Sequence, residues 1–306
     1  NDLLSMRITI FASTIVGIFI WGTFSFATMT SPNYEIRWDT VSGGGSDDSS
    51  SASYELRDTI GNTAPGQGTS ASYDLRAGYR QGVFDQVISF DIYPSILSSA
   101  QAASGLAGNV ITTNTGSLSV GDYIALVQDQ GSAQVSAIGK ITTIGVGTVT
   151  VDVLKDAGAA PVIDGVNDFV YRLSGTALSL DELDPTATNT GILGFEVTAE
   201  NDNGYVVQVI EDANLRDGVN DIDDVADGTV TTGSEEYGAR SSDTTLASST
   251  FDTADTGFTG AFQDISDEAT NVFASRNFLM LKASIDAATE DGTYTHALTL
   301  IASGNF

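Results

Sequence analysis

Cysteine is absent from the chain, which excludes disulfides, thiolate metal centres and cysteine nucleophiles. Histidine occurs once, at His296, which leaves little for zinc ligation or for a catalytic triad. Basic residues are scarce: Lys plus Arg is 12 against 40 Asp plus Glu, a net charge of −28. A chain so acidic lacks the basic face that phosphate backbones require, and anionic membrane surfaces repel it. From Ala177 onward the only Lys or Arg residues are Arg216, Arg240, Arg276 and Lys282. Lys140, Lys155 and Lys282 are the three lysines, and no sequence rule marks any of them as reactive. No phosphate-binding loop and no Gly-x-Ser-x-Gly elbow is present. Proline is rare at 5, glycine is frequent at 32, and Ser, Thr, Ala and Val dominate the rest in short alternating runs. That composition predicts an all-β protein, and 306 residues suffice for two or three modest domains.

What is present begins with one long uncharged stretch, Ile8 to Ala27, between Arg7 and Glu35. As a helix it would span about 30 Å, the thickness of a bilayer's hydrocarbon core. It follows a positive residue and ends in Ser25-Phe26-Ala27, small residues placed as at a signal cleavage site. Its many Ile, Val, Phe and Thr residues also suit a buried strand pair. Export is the reading taken, with removal and retention of the segment both open.

Residues 31–82 carry a repeat: Tyr34-Glu35-Ile36-Arg37, Tyr54-Glu55-Leu56-Arg57 and Tyr73-Asp74-Leu75-Arg76. In extended chain, Tyr and the aliphatic residue share one face, and the acid and Arg share the other. Trp38 and Tyr79 extend the aromatic face. The expectation is three strands of one small sheet, with Gly43 to Asp48 and Ala64 to Gly68 as turns. Tyr34, Trp38, Tyr54, Tyr73 and Tyr79 are candidate interface residues, since aromatics beside Arg–acid pairs suit a subunit contact. The plain alternative is a satisfied sheet with solvated charge pairs.

The paired stretches Ser53-Tyr54-Glu55-Leu56-Arg57-Asp58-Thr59-Ile60-Gly61 and Ser72-Tyr73-Asp74-Leu75-Arg76-Ala77-Gly78-Tyr79 resemble a motif of exported, β-rich surface and filament proteins of candidate-phylum bacteria. Gly194-Phe195 to Val209 and Ser234-Glu235-Glu236-Tyr237-Gly238 resemble the immunoglobulin-like domain that follows the motif there. The resemblance implies a cell-surface or extracellular structural role and carries no catalytic residues. Residues 100–173 have no place in it.

Further along, Val87 to Leu97 reads as a strand and residues 100–110, rich in Ala, Ser and Gly, as a linker. Tyr123 to Val127, Val135 to Thr142, Thr148 to Leu154 and Phe169 to Leu173 read as strands of a small closed barrel. In the last part, Asn201-Asp202-Asn203-Gly204 between two apolar runs predicts a hairpin. Ile265 to Arg276 admits a helical turn, and Phe278 to Ile285 and Tyr294 to Ala302 read as strands. The predicted architecture is a hydrophobic segment (1–30), a repeat sheet (31–82), a small β-barrel-like insert (100–173) and an immunoglobulin-like β-sandwich (83–99 plus 174–306).

Asp217, Asn220, Asp221, Asp223, Asp224 and Asp227 crowd one glycine-containing loop. Clustered hard oxygens on a bending backbone suit Ca²⁺, although the spacing is not that of an EF-hand; the alternative is a solvated acidic loop. Asp255-Thr256-Gly257 matches half of an aspartic-protease pair, but that chemistry needs two carboxylates and only one copy exists. His296, beside Thr and Ala, reads as a surface or half-buried residue. No enzyme is expected. The sequence reading is a structural subunit of an extracellular filament or surface layer, meeting further copies of itself head to tail. It touches a membrane only through the N-terminal segment if that is retained. The alternative is a monomeric adhesin or carbohydrate-binding protein.

Overall fold

The computed structural model describes residues 87–200 and 203–305, together with the backbone of six short strands between Met29 and Ala77. The chain forms two compact units, Asn1–Gly82 and Val83–Phe306. In the first, β1 (Met29–Ser31) pairs with β2 (Tyr34–Ile36), β3 (Gly44–Ser50) with β4 (Glu55–Ile60), and β5 (Gly66–Thr69) with β6 (Asp74–Ala77), all antiparallel. The repeat strands β2, β4 and β6 therefore pair with their sequence neighbours, not with one another, and the single small sheet expected is replaced by three hairpins. The Gly- and Ser-rich stretches read as turns are partner strands β3 and β5, and closing a loop of a few residues costs less entropy than closing one of twenty. The segment 1–28 and Trp38, Tyr54, Tyr73 and Tyr79 lie outside the described residues.

The second unit is all-β, and its one described helical turn is the 3-10 turn Leu97–Ser99. After β7 (Val87–Pro94) come β8 (Gln101–Ala107), β9 (Val110–Thr113), β10 (Tyr123–Gln128), β11 (Val135–Gly145), β12 (Thr148–Val151), β13 (Lys155–Asp156) and β14 (Phe169–Leu173). Antiparallel pairing runs β10–β14–β8–β9–β12–β11 and back to β10, so six strands close on themselves, with β13 an added pairing on β11. The run taken for a linker is β8. Its small residues fit the crowded wall: Ala103 is buried, and Gly105 stands against Thr112. Inside the closed sheet Ile111, Ile124, Leu126, Ile141, Val149, Val151 and Val170 form a core.

The remaining strands are β15 (Asn189–Ala199), β16 (Tyr205–Glu211), β17 (Leu215–Asp217), β18 (Asn220–Ile222), β19 (Glu236–Ser241), β20 (Gln263–Glu268), β21 (Val272–Ser284) and β22 (Leu298–Gly304). They make a four-stranded sheet, β19–β21–β15–β7, and a three-stranded one, β20–β16–β22. The two sheets share one core built on Phe195, Val197, Tyr205, Val207, Val209, Tyr237, Phe251, Phe258, Ile265, Leu279 and Leu281. The predicted Asn-Gly hairpin is instead a crossing between sheets. Both edges of β15 are taken by β21 and β7, so β16 must pair elsewhere. Gly204 makes the corner at φ +74°, where a Cβ would fall 1.7 Å from the Glu268 carbonyl oxygen. The helical turn expected within 265–276 is strand at both ends, β20 and the start of β21.

β15 is buried on both faces. Its odd-numbered residues enter the shared core, while Ile192, with Phe278 and Met280 of β21, packs on the barrel's outer wall at Ala125, Val127, Ile138, Tyr171 and Leu173. Arg276 locks this junction. It forms a two-pronged pair with Asp152 of the barrel, at 2.8 and 2.7 Å, and donates Nε to Glu196 of β15 at 2.7 Å. Burial alone would lower the Arg276 pKa, but the two carboxylates hold it above the ordinary value. Burial would likewise raise Asp152, and Arg276 with two backbone amides draws it down.

Candidate functional site

A cleft of about 930 Å³ opens where the two sheets part. Its walls are Ile92 and Pro94 of β7, the strap 176–183, Leu193, Leu281, and the segment 289–298 leading into β22. Leu178 and Leu180 lie over Gly191, whose missing side chain leaves room for them: a Cβ there would come within 2.7 Å of Leu178 Cδ2. Asn189 pins the strap by donating to the carbonyls of Leu180 (2.7 Å) and Glu182 (2.9 Å). Leucines line the cleft, and Asp181, Glu182, Glu290 and Asp291 stand among its polar lining residues.

At the floor, four strand ends and loops bring together Glu211, Asp224, Tyr237 and His296. Tyr237, fully buried on β19, shares a 3.0 Å hydrogen bond with His296 Nε2. The imidazole meets the Tyr237 ring edge-on at 5.1 Å. On its other side Nδ1 lies 3.6 Å from Glu211 Oε2, and neither atom makes a hydrogen bond of normal geometry. Asp224 Oδ1 is likewise buried without a partner. Burial raises Glu211 from 4.5 to about 7, aided by the charges of Asp224 and Asp212 and opposed by Arg216. Burial also raises Asp224, with Asp223 and Asp221 adding repulsion against the Phe258 amide. Tyr237 is pushed far up by burial and by Glu211 and Asp224. Burial lowers His296, with the Ala213 carbonyl and Asp212 opposing. Burial thus disfavours charge on both facing groups, raising the proton affinity of the carboxyl and lowering that of the imidazole. His296 is half-buried, as its sequence setting suggested; its partners, far away in the chain, carried no signal.

The acidic loop folds as a hairpin and the turns that follow it. Asp217 and Asn220 close the β17–β18 hairpin through Gly218 at φ +66° and Val219. The carboxylates then turn to separate partners. Asp217 accepts from the Thr293 amide at 3.1 Å, Asp221 from Asn214 at 3.0 Å, and Asp227 from the Thr229 amide at 3.0 Å. Asp223 uses its backbone carbonyl to bind the Tyr237 amide at 2.8 Å. As placed, these residues do not converge, and among the described residues no group of three or more His, Cys, Asp or Glu is arranged to hold a metal ion. Asp255 of the Asp-Thr-Gly stretch is buried against Lys282. Of the five candidate interface residues only Tyr34 lies on a described strand, opposite Ser31.

No protein-family model matches the chain, and no curated protein or solved structure matches it.

Proposed function

We propose that the protein is a structural subunit of an extracellular filament or cell-surface layer, built by head-to-tail association of copies. The observation that carries this is an open strand edge beside an apolar cleft. β22 ends its sheet, with β16 as its one described partner. The bonds Asp212 N to Ala297 O and Asn305 N to Gly204 O set the phase of that pairing. Odd-numbered residues of β22 bond to β16, so the N–H and C=O groups of Leu298, Leu300 and Ala302 face away from it. Such an edge accepts a strand of another chain, and the partly buried Leu298 and Leu300 side chains offer apolar surface beside it. The net charge of −28 opposes unspecific clumping and leaves matched contacts. In this reading the two-sheet part is an immunoglobulin-like sandwich, and the uncharged stretch Ile8 to Ala27 directs export.

The cleft also favours a second reading, a monomeric adhesin or carbohydrate-binding protein whose ligand fills it. Negative-stain imaging of the full chain separates the two. Regular polymers are the expected result, and Ala302→Pro, which removes one outward N–H at a position where an edge strand tolerates proline, should abolish them while the fold's near-UV signal persists. A full-length protein that stays monomeric at high concentration overturns the subunit reading.

A further inference from the structure

Lys282 Nζ lies 2.9 Å from Asp255 Oδ1 and 3.0 Å from Oδ2, with side chains 9% and 4% exposed. The chain builds this approach deliberately. Lys282 stands on β21 directly opposite Gly238 of β19. A Cβ at Gly238 would lie 2.5 Å from Val225 Cγ1 and 3.0 Å from the Thr256 carbonyl oxygen, so the absent side chain is what lets the 255–256 backbone close over the sheet. Asp255 is fixed at both ends: its amide bonds to Gly228 O at 2.9 Å, and its Oδ2 accepts from the Val230 amide at 3.0 Å. Thr256 and Ala239 exchange backbone bonds of 2.8 and 3.0 Å, tying the loop to β19.

We propose that Lys282 and Asp255 condense to an intramolecular amide that cross-links β21 to the loop over β19. A buried ion pair is poorly repaid for its desolvation, whereas an amide removes both charges. Holding amine and carboxyl within 3.0 Å, away from water, supplies the proximity that amide formation in solution lacks. The step balances without any oxidant or co-reactant. One ammonium proton passes to the carboxylate, leaving amine and acid. Nζ then attacks Cγ, forming the C–N bond. The acid's hydroxyl leaves with the second Nζ proton as water, and the amide keeps one N–H.

Trypsin reads the outcome. There is no Lys or Arg between Arg240 and Arg276, between Arg276 and Lys282, or after Lys282. An acylated Lys282 is not cut. The expected digest of the folded full chain therefore lacks the 277–282 peptide and contains one branched species, 241–276 joined to 277–306, lighter than their sum by one water. Asp-Gly pairs such as Asp217-Gly218 also shed water on forming a succinimide, but they leave 277–282 free. Lys282→Arg and Asp255→Ala should each restore unbranched peptides. Recovery of free 277–282 as the main product from folded, aged full chain overturns the proposal.

Discussion

Replacing Glu211 by Gln keeps the shape of the side chain and removes its titration. Glu211 is raised from 4.5 to about 7 in the folded protein, first by burial and then by Asp224 and Asp212. A folded-state pKa above the unfolded one means that the group contributes stability fully below about 4.5 and loses it as pH rises through about 7. At about 1.4 kcal/mol per unit, the shift corresponds to about 3 kcal/mol at most. The carboxylate is covered, at 5% exposure, but only by a shallow layer beside the acidic loop, so solvent screens part of this. We therefore expect about 1–2 kcal/mol. Glu211→Gln should match the parent at pH 4.5 and exceed it by that amount at pH 8. For a unit of this size about 1 kcal/mol moves Tm by roughly 2–4 °C, so the gain at pH 8 should be about 2–8 °C. Calorimetric melts of both proteins from pH 4.5 to 8.5 give the difference curve, in which the other carboxylates cancel. A difference independent of pH, or a variant less stable than the parent at pH 8, refutes the assignment of a buried, proton-holding Glu211.

His296 is the only histidine, so its imidazole resonances are unambiguous; their titration midpoint should lie below 6.5, and a midpoint at or above that value contradicts its burial beside Tyr237. Arg276→Ala removes the cation that bridges Glu196 and Asp152 at the barrel junction, and should cost about 2–4 kcal/mol by denaturant unfolding. A loss under about 0.5 kcal/mol would mean that the junction rests on its apolar contacts alone. Chelator should leave the melting curve unchanged, because Asp217, Asp221 and Asp227 already have separate partners; a lower Tm in chelator would show that they leave those partners to converge on calcium.

Strand positions in the second unit were legible where apolar residues met the β-period. Tyr123 to Val127 illustrates why the faces were harder to assign. It reads as a nearly continuous apolar run because Ile124 and Leu126 fill the barrel while Ala125 and Val127 cover the four-stranded sheet. β8 was missed because Ala, Ser and Gly carry no hydrophobic signal, yet a crowded wall selects for small side chains. The Asn-Gly corner shows a limit of turn chemistry. A left-handed Gly204 is required by the local backbone, but whether the strands beside it pair depends on which edges are already occupied, and that is decided by β7 and β21, both distant in the chain.

The proton-holding cluster had no local signature at all. Glu211 ends one strand, Asp224 follows a hairpin, Tyr237 sits within β19 and His296 precedes β22. Each is an ordinary residue in its own neighbourhood, and what perturbs it is burial, a property of the assembled sheets. The acidic loop was the reverse case. Its composition was conspicuous, but separation in space and not spacing in sequence decides whether carboxylates act together. A two-residue turn at Gly218 and Val219 sends successive side chains to opposite faces of a hairpin, so Asp217 and Asp221 meet Thr293 and Asn214 on their own. Asp224 alone is carried inward, because Val225 and Asp223 bond to Tyr237 at 2.8 Å on either side of it. The backbone pairing that buries Tyr237 thus also draws one carboxylate of the loop toward Glu211, where its charge adds to the rise in proton affinity that burial mainly causes. Breaking that pairing should lower the Glu211 titration midpoint without touching either carboxylate.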